Sequence, residues 1–174
     1  MRRALFARVL PVIAAVAVFV TAVPAQARES EPVTITPFTL PAGVICESFA
    51  VDVGVILNEE RQEKTTLPDG TTITEIKGKL VLSFKNDATG RTITRDVGGP
   101  TTTIVRSDGT GTEFGTGSNW WGFGPTSKAN TGEPGLVFTN GLVVLKFTGN
   151  VVTRFTLAGR QVNACDLLAK ASAS

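Results

Sequence analysis

From about residue 45 onward, apolar and polar positions alternate with a period of two. Phe49, Val51, Val53, Val55 and Leu57 share one parity. Ala50, Asp52 and Gly54 share the other, with Ile56 as the exception. This alternation predicts a half-buried strand over Ile45–Leu57. Leu80, Leu82 and Phe84 repeat it against Lys79, Ser83 and Lys85, within a second β stretch over Thr71–Lys85. Ile73 and Ile76 are out of phase with that triplet, so a bulge is expected near Lys77-Gly78.

Turn-forming residues divide the remainder. Asn86-Asp87-Ala88-Thr89-Gly90 reads as a hairpin loop leading into Arg91–Val97, which Gly98-Gly99-Pro100 breaks. Thr101–Arg106 follows and ends at Ser107-Asp108-Gly109. Thr110–Phe123 is Gly-rich, and residues 124–135 read as a Pro/Gly loop. Asn140-Gly141 between Leu136–Thr139 and Leu142–Thr148 is the strongest two-residue hairpin signal in the chain. Gly149-Asn150 turns the chain into Val151–Leu157, and Ala158-Gly159 separates that run from Arg160–Cys165. Asp166–Lys170 suits a terminal helical turn capped near Asp166. The polar stretch 58–70 reads as a loop or frayed hairpin end, and Val33–Thr36 as a short strand.

The pattern predicts an all-β domain of about eight to ten strands with a short C-terminal helical turn. Short connections enforce antiparallel neighbours. Two architectures satisfy this: an up-and-down, calycin-like barrel or a two-sheet sandwich.

The first residues follow a different rule. Arg2, Arg3 and Arg8 precede an uncharged apolar run over Val9–Val23, and Pro24-Ala25-Gln26-Ala27 comes next. A basic start, an apolar run and a small-x-small site make a secretory signal peptide over 1–27, cut after Ala27. The run is about 15 residues, short of the roughly 20 that cross a bilayer. Arg2-Arg3 leaves open which export route is used, and no cysteine near the cut invites a lipid anchor. The expected organisation is a leader (1–27), a Pro/Thr-rich segment (28–42) and one β domain (43–174).

The leader changes the charge balance. The chain has 17 basic and 15 acidic residues, a net charge of +2. Three of the arginines and none of the acids lie in the leader, so the mature chain carries −1. It has no basic block and no reason to prefer nucleic acid or an anionic membrane. In an exported chain, Cys46 and Cys165 are expected to pair. That bond would tie the first core strand to the C-terminal segment.

The missing residues narrow the chemistry. There is no histidine, so a Ser-His-Asp or Cys-His arrangement and a His-based zinc site have no members. Oxidised cysteines supply no thiolate. Gly109, Gly111, Gly115 and Gly117 lack the Lys-Ser/Thr of a phosphate loop. No cofactor and no metal site is expected. Glu59, Glu60 and Glu63 cluster, whereas Asp96, Asp108, Glu113 and Glu133 are scattered. Solvated loop charge accounts for most such acids, and Asp108 is placed to cap its own turn.

Two places could hold a ligand. Trp120 and Trp121 must point to opposite faces of one strand, so only one enters the core without a bulge. The other, with Phe123 and the adjoining loop, would offer a surface for sugars or apolar ligands. Arg95 shares parity with Ile93 and Val97 and so points inward, unless the inward face is that of Thr92, Thr94 and Asp96. A buried arginine needs a partner and is then a ligand contact.

The layout resembles small exported proteins of actinobacteria. Ile45-Cys46-Glu47-Ser48-Phe49 before an alternating strand, the Thr/Gly-rich strands, and the ending Cys165-Asp166-Leu167-Leu168 carry that likeness. It implies a secreted β-barrel-like domain and no particular activity. A fold-level likeness to calycin and allene-oxide-cyclase-like barrels rests on strand count. The expected function is a secreted, non-enzymatic binding domain. Its partner would be a small apolar or carbohydrate ligand, or another extracellular protein. The alternative is a His-free enzyme of cyclase or glycosidase type, which requires two acids, or an acid and Arg95, in one pocket.

Overall fold

The computed structural model describes residues 30–170. The expected leader and its expected cut after Ala27 lie outside them. Among the described residues the chain is an antiparallel meander of long, bent segments. Two short strands, β1 (Glu31–Pro32) and β2 (Phe38–Leu40), precede it. The first long segment is β3 (Val51–Asn58) plus β4 (Arg61–Thr66), and the second is β5 (Thr72–Lys77) plus β6 (Leu80–Asn86). The third is β7 (Thr92–Asp96) plus β8 (Thr101–Val105), and the fourth is β9 (Thr110–Gly115) plus β10 (Ser118–Gly122). After α1 (Pro125–Thr131) come β11 (Leu136–Thr148), β12 (Val151–Asn163) and α2 (Ala164–Ala169).

The strands form two sheets. One has eight strands in the order β1-β4-β5-β8-β9-β11-β10, with β12 on the free side of β11; the other is β2-β3-β6-β7. The first three long segments each pass from one sheet into the other. In the first hairpin, pairing runs through the crossing: Asn58 faces Leu80, Arg61 faces Lys77, and the Glu59 amide donates to the Lys79 carbonyl at 2.8 Å. The expected irregularity at Lys77-Gly78 is this crossing. Gly78 has φ 135°, and a Cβ there would lie 2.4 Å from the Glu59 carbonyl oxygen. In the third segment the Val97 amide still donates to Leu80, whereas the Gly99 amide already donates to Ser118.

That divergence decides between the two architectures. Where the third segment leaves β6 for the fourth, the sheet splits in two, and the edges β1 and β12 do not pair. The barrel alternative is therefore not formed; the all-β sandwich is.

The β10–β11 ribbon is the middle layer. Leu136 and Phe138 face the small sheet, where Val51, Val53, Leu80, Leu82 and Phe84 alternate inward. Ile45, Cys46 and Phe49 close one end of this core, with Ala164 and Leu168 of α2. On the opposite face Trp121, Phe123, Val137, Val143 and Leu145 form a second cluster with Val152, Phe155 and Leu157 of β12. Full burial of each large side chain contributes about 1.5–3 kcal/mol. The expected disulfide is present: Cys46 and Cys165 are bonded, with Cα atoms 5.5 Å apart and a sequence separation of 119.

Several expected boundaries shift. Residues 45–49 are bends, and strand pairing starts at Val51, beside β2 and not at 33–36. The polar stretch 58–70 contains a strand, β4, because β1 and β5 pair with it on both sides. Residues 124–135 contain α1, which starts with Pro125 and ends at Gly132 in the left-handed region. Asn140-Gly141 is not a turn; β11 runs straight through it. Gly141 lies opposite Gly159 of β12, with φ 143° and 158°, and a Cβ at either would collide with the facing backbone at 2.3 Å. The two glycines let the facing backbones approach within a continuous ribbon, so Ala158-Gly159 does not divide β12 either. The last helix is capped by Asn163, whose side chain accepts from the Cys165 and Asp166 amides.

Candidate functional site

The facing pair Gly141 and Gly159 lies in the middle of the β11–β12 ribbon. Just below it, Phe138 pairs with Val162, and Asn140 with Arg160. Across the gap lies β7, the edge of the small sheet, with Arg95 opposite Leu82. Arg95, Phe138, Thr139, Asn140, Arg160 and Val162 together line a hollow of about 250 Å³ between the two sheet edges.

The floor of this hollow is apolar. Phe138 belongs to the core, while Val162 is 46% exposed. The Arg95 guanidinium lies over the Phe138 ring, 5.8 Å from its centroid, a cation–π distance. Arg95 does share the face of Ile93 and Val97, but β7 is an edge strand, so the side chain is exposed. Arg160 is exposed as well. Among the described residues, neither guanidinium forms an ion pair; Lys77 and Glu75 do, at 3.7 Å. No acid lines the hollow. Asn140 is held by its amide, which donates to the Ser118 hydroxyl at 3.0 Å. Arg160 escaped sequence reasoning because it follows an expected strand break. Its signal is its register with Asn140, which appears only once β11 and β12 are read as unbroken.

The tryptophans lie elsewhere. Trp121 enters the second cluster, and its indole N–H donates to the Thr139 hydroxyl at 2.9 Å. Trp120, on the opposite face as expected, is half-buried against the first core. Its ring packs edge-on to Phe84 at 5.8 Å and lies 6.2 Å from Phe38 of β2. Both rings find cover because the ribbon has a layer on each side, and the Pro/Thr-rich segment supplies Phe38. Phe123 is fully buried, edge-on to Phe155 at 5.3 Å. None of these three rings lines the hollow with Arg95.

Other hollows have a different character. One, about 460 Å³, lies beside the disulfide and carries Glu47, Glu133 and Asp166 together with Lys128. A second, about 440 Å³, lies on the outer face of the small sheet, where Thr39 donates to Asp52 at 2.8 Å. Glu59, Glu63 and Glu75 meet in a third of about 280 Å³, with Arg61 and Lys77 among them. Glu63 and Glu75 are direct cross-strand partners, so their like charges are offset by the Arg61–Lys77 pair beside them. Arg95 shares none of these three.

Two acids stand out electrostatically. Burial pushes the Glu60 carboxyl upward at the hairpin crossing. Burial does the same to Glu113, which faces Leu145 on one side and Thr103 on the other. Asp108 is held below the usual range by the Thr110 hydroxyl and amide, both donating to it. That is the turn-capping role its Ser-Asp-Gly context implies. Among the described residues, no group of three acids or cysteines is arranged to hold a metal ion.

Comparison with known proteins adds no assignment: no family model, curated protein or solved structure matches the chain.

Proposed function

We propose that the chain is a secreted, non-enzymatic binding domain whose ligand occupies the hollow between Arg95 and Arg160. One observation carries this reading: two guanidiniums without ion-pair partners among the described residues flank an apolar floor at the open seam of the sandwich. Ligand sites are concave, mostly apolar, and fixed in orientation by a few polar groups. The lining offers an aromatic ring, an aliphatic side chain, an amide and two cations. Such groups hold a small molecule and supply no general base. The disulfide fits an oxidising compartment. No helix among the described residues is long and apolar enough to cross a membrane.

The test is amide chemical-shift mapping on the exported protein during titration with a panel of small apolar, anionic and sugar ligands. Shifts should concentrate at Phe138, Asn140, Arg160 and Val162. A ligand that binds while leaving these four unmoved would sink the reading. Terminal sequencing of the exported chain should begin at Arg28; retention of the leader would remove the secreted half of the proposal.

A further inference from the structure

The groups that line the hollow also say what it holds. We infer that its ligand is an amphipathic organic anion: one carboxylate between the Arg95 and Arg160 guanidiniums, and a hydrocarbon body on Phe138 and Val162. This rests on the hollow being the binding site and deepens that reading.

Three features lead there. Two guanidiniums border one hollow and repel each other across it. No carboxylate of the chain among the described residues neutralises either, although the mature chain has slightly more acids than bases. An anion between them replaces that repulsion with two charge-assisted hydrogen-bonding partners, and the planar guanidinium fork suits a carboxylate. Second, the exposed part of the floor is apolar, so a bare inorganic anion would leave Val162 uncovered beside the buried Phe138 ring. At 46% exposed, Val162 has surface to lose on binding. Third, the hollow is about 250 Å³, slightly under the roughly 300 Å³ at the low end of ligand pockets. It admits a short acyl or single-ring body and not a large cofactor.

The protein's own packing rehearses half of this contact. Arg95 already lies over the Phe138 ring, which orients its guanidinium and shields one face from water. Arg160 stands beside Asn140, whose amide is fixed by Ser118. Both arginines are exposed, so replacing them leaves the core intact.

Calorimetry at low ionic strength with three probes tests the inference: decanoate, 1-decanol and inorganic phosphate. Amide shifts at Val162 and Asn140 serve as the site reporter. Decanoate should bind more tightly than the other two. R95Q and R160Q should each weaken decanoate about tenfold, and the double variant should bring it down to the level of 1-decanol. Equal affinity for decanoate and 1-decanol, unchanged in R95Q/R160Q but still shifting Val162, would overturn the anion and leave the binding hollow standing. Binding of phosphate alone, abolished in both variants, would also overturn it, since the apolar floor would then contribute nothing. Silence of Val162 and Asn140 with every probe, while the panel shifts other residues, would defeat the hollow itself.

Discussion

Two ends of the same meander are built by opposite rules. In β6, at the disulfide end, alternate side chains vanish from solvent: Leu80, Leu82, Phe84 and Asn86 are buried. In β5, its continuation past Gly78, and in β8 beside it, no residue is buried and nearly all are half-exposed. The difference lies in what covers each sheet. The small sheet has the β10–β11 ribbon and α2 against one face. The outer part of the large sheet contributes no residue to either core cluster. Its strands are held by their ladders and by threonine and isoleucine side chains packed along the sheet. Stability should therefore be concentrated at one end.

The largest expected effect comes from the staple. Replacing Cys46 and Cys165 together by alanine should cost about 4 to 5 kcal/mol in the chain-entropy description, read from denaturant midpoints. A loss below about 1 kcal/mol would mean that the disulfide end holds without it. Next is Phe84→Ala, which removes a fully buried ring touching Phe138 and Trp120 and should cost about 3–5 kcal/mol. Ile73→Ala in β5 removes a similar apolar class from the open end. It should cost about 1 kcal/mol, because only part of that side chain's surface leaves water. Equal losses for the two would erase the contrast. Trp121→Phe keeps a ring in the second cluster but removes the indole donor, leaving the Thr139 hydroxyl only its own donation to the Asn119 carbonyl, for about 1 kcal/mol.

The smallest effect is a matter of sign. The folded pKa of Glu113 is raised by burial, so the folded state binds the proton more tightly than the unfolded one. Its contribution to stability is therefore greatest at low pH. It declines as pH rises from the ordinary carboxylate range through the raised folded value. Glu113→Gln should flatten that decline and leave the protein more stable than the parent at neutral pH, as thermal melts across pH 3–8 would register.

The same contrast governs what could be read from the sequence. Strands of the covered end announced themselves, because one face is buried and the other is not: Leu80, Leu82 and Phe84 sit where alternation put them. The disulfide was legible from two cysteines in a chain read as exported. β4 was not, since Arg61-Gln62-Glu63-Lys64 has no buried face to alternate with; pairing on both sides makes it a strand. The α1 helix is seven residues without an apolar stripe, so nothing periodic marks it. Asn140-Gly141 carried the residues of a tight turn, yet Gly159 opposite lets two strands pass backbone to backbone. Reading that pair as a turn hid the register that sets Arg160 beside Asn140. Parity put Arg95 on the face of Ile93 and Val97 but not its exposure, which comes from the edge position of β7; the register of Arg160 required the fold. Trp120 and Trp121 were rightly placed on opposite faces. That both faces are covered depends on layers no local pattern encodes.

Asn86 ties the β6–β7 hairpin to the last helix more quietly than the disulfide does Cys46 to Cys165. Its carbonyl oxygen accepts from Ala88 and Thr89 in the hairpin loop, and its amide donates to Leu168, near the end of α2. The core between residues 45 and 86 is thus sealed by a helix made well after those residues. A chain emerging amino-end first, from a ribosome or a membrane pore, can lay down its hairpins in order. It cannot bury Val51, Leu82 and Phe84 fully until residues 164–168 arrive. Removing α2 should leave a nascent-like intermediate with its hairpins paired and its main core open to solvent, for as long as the last turn of helix is withheld.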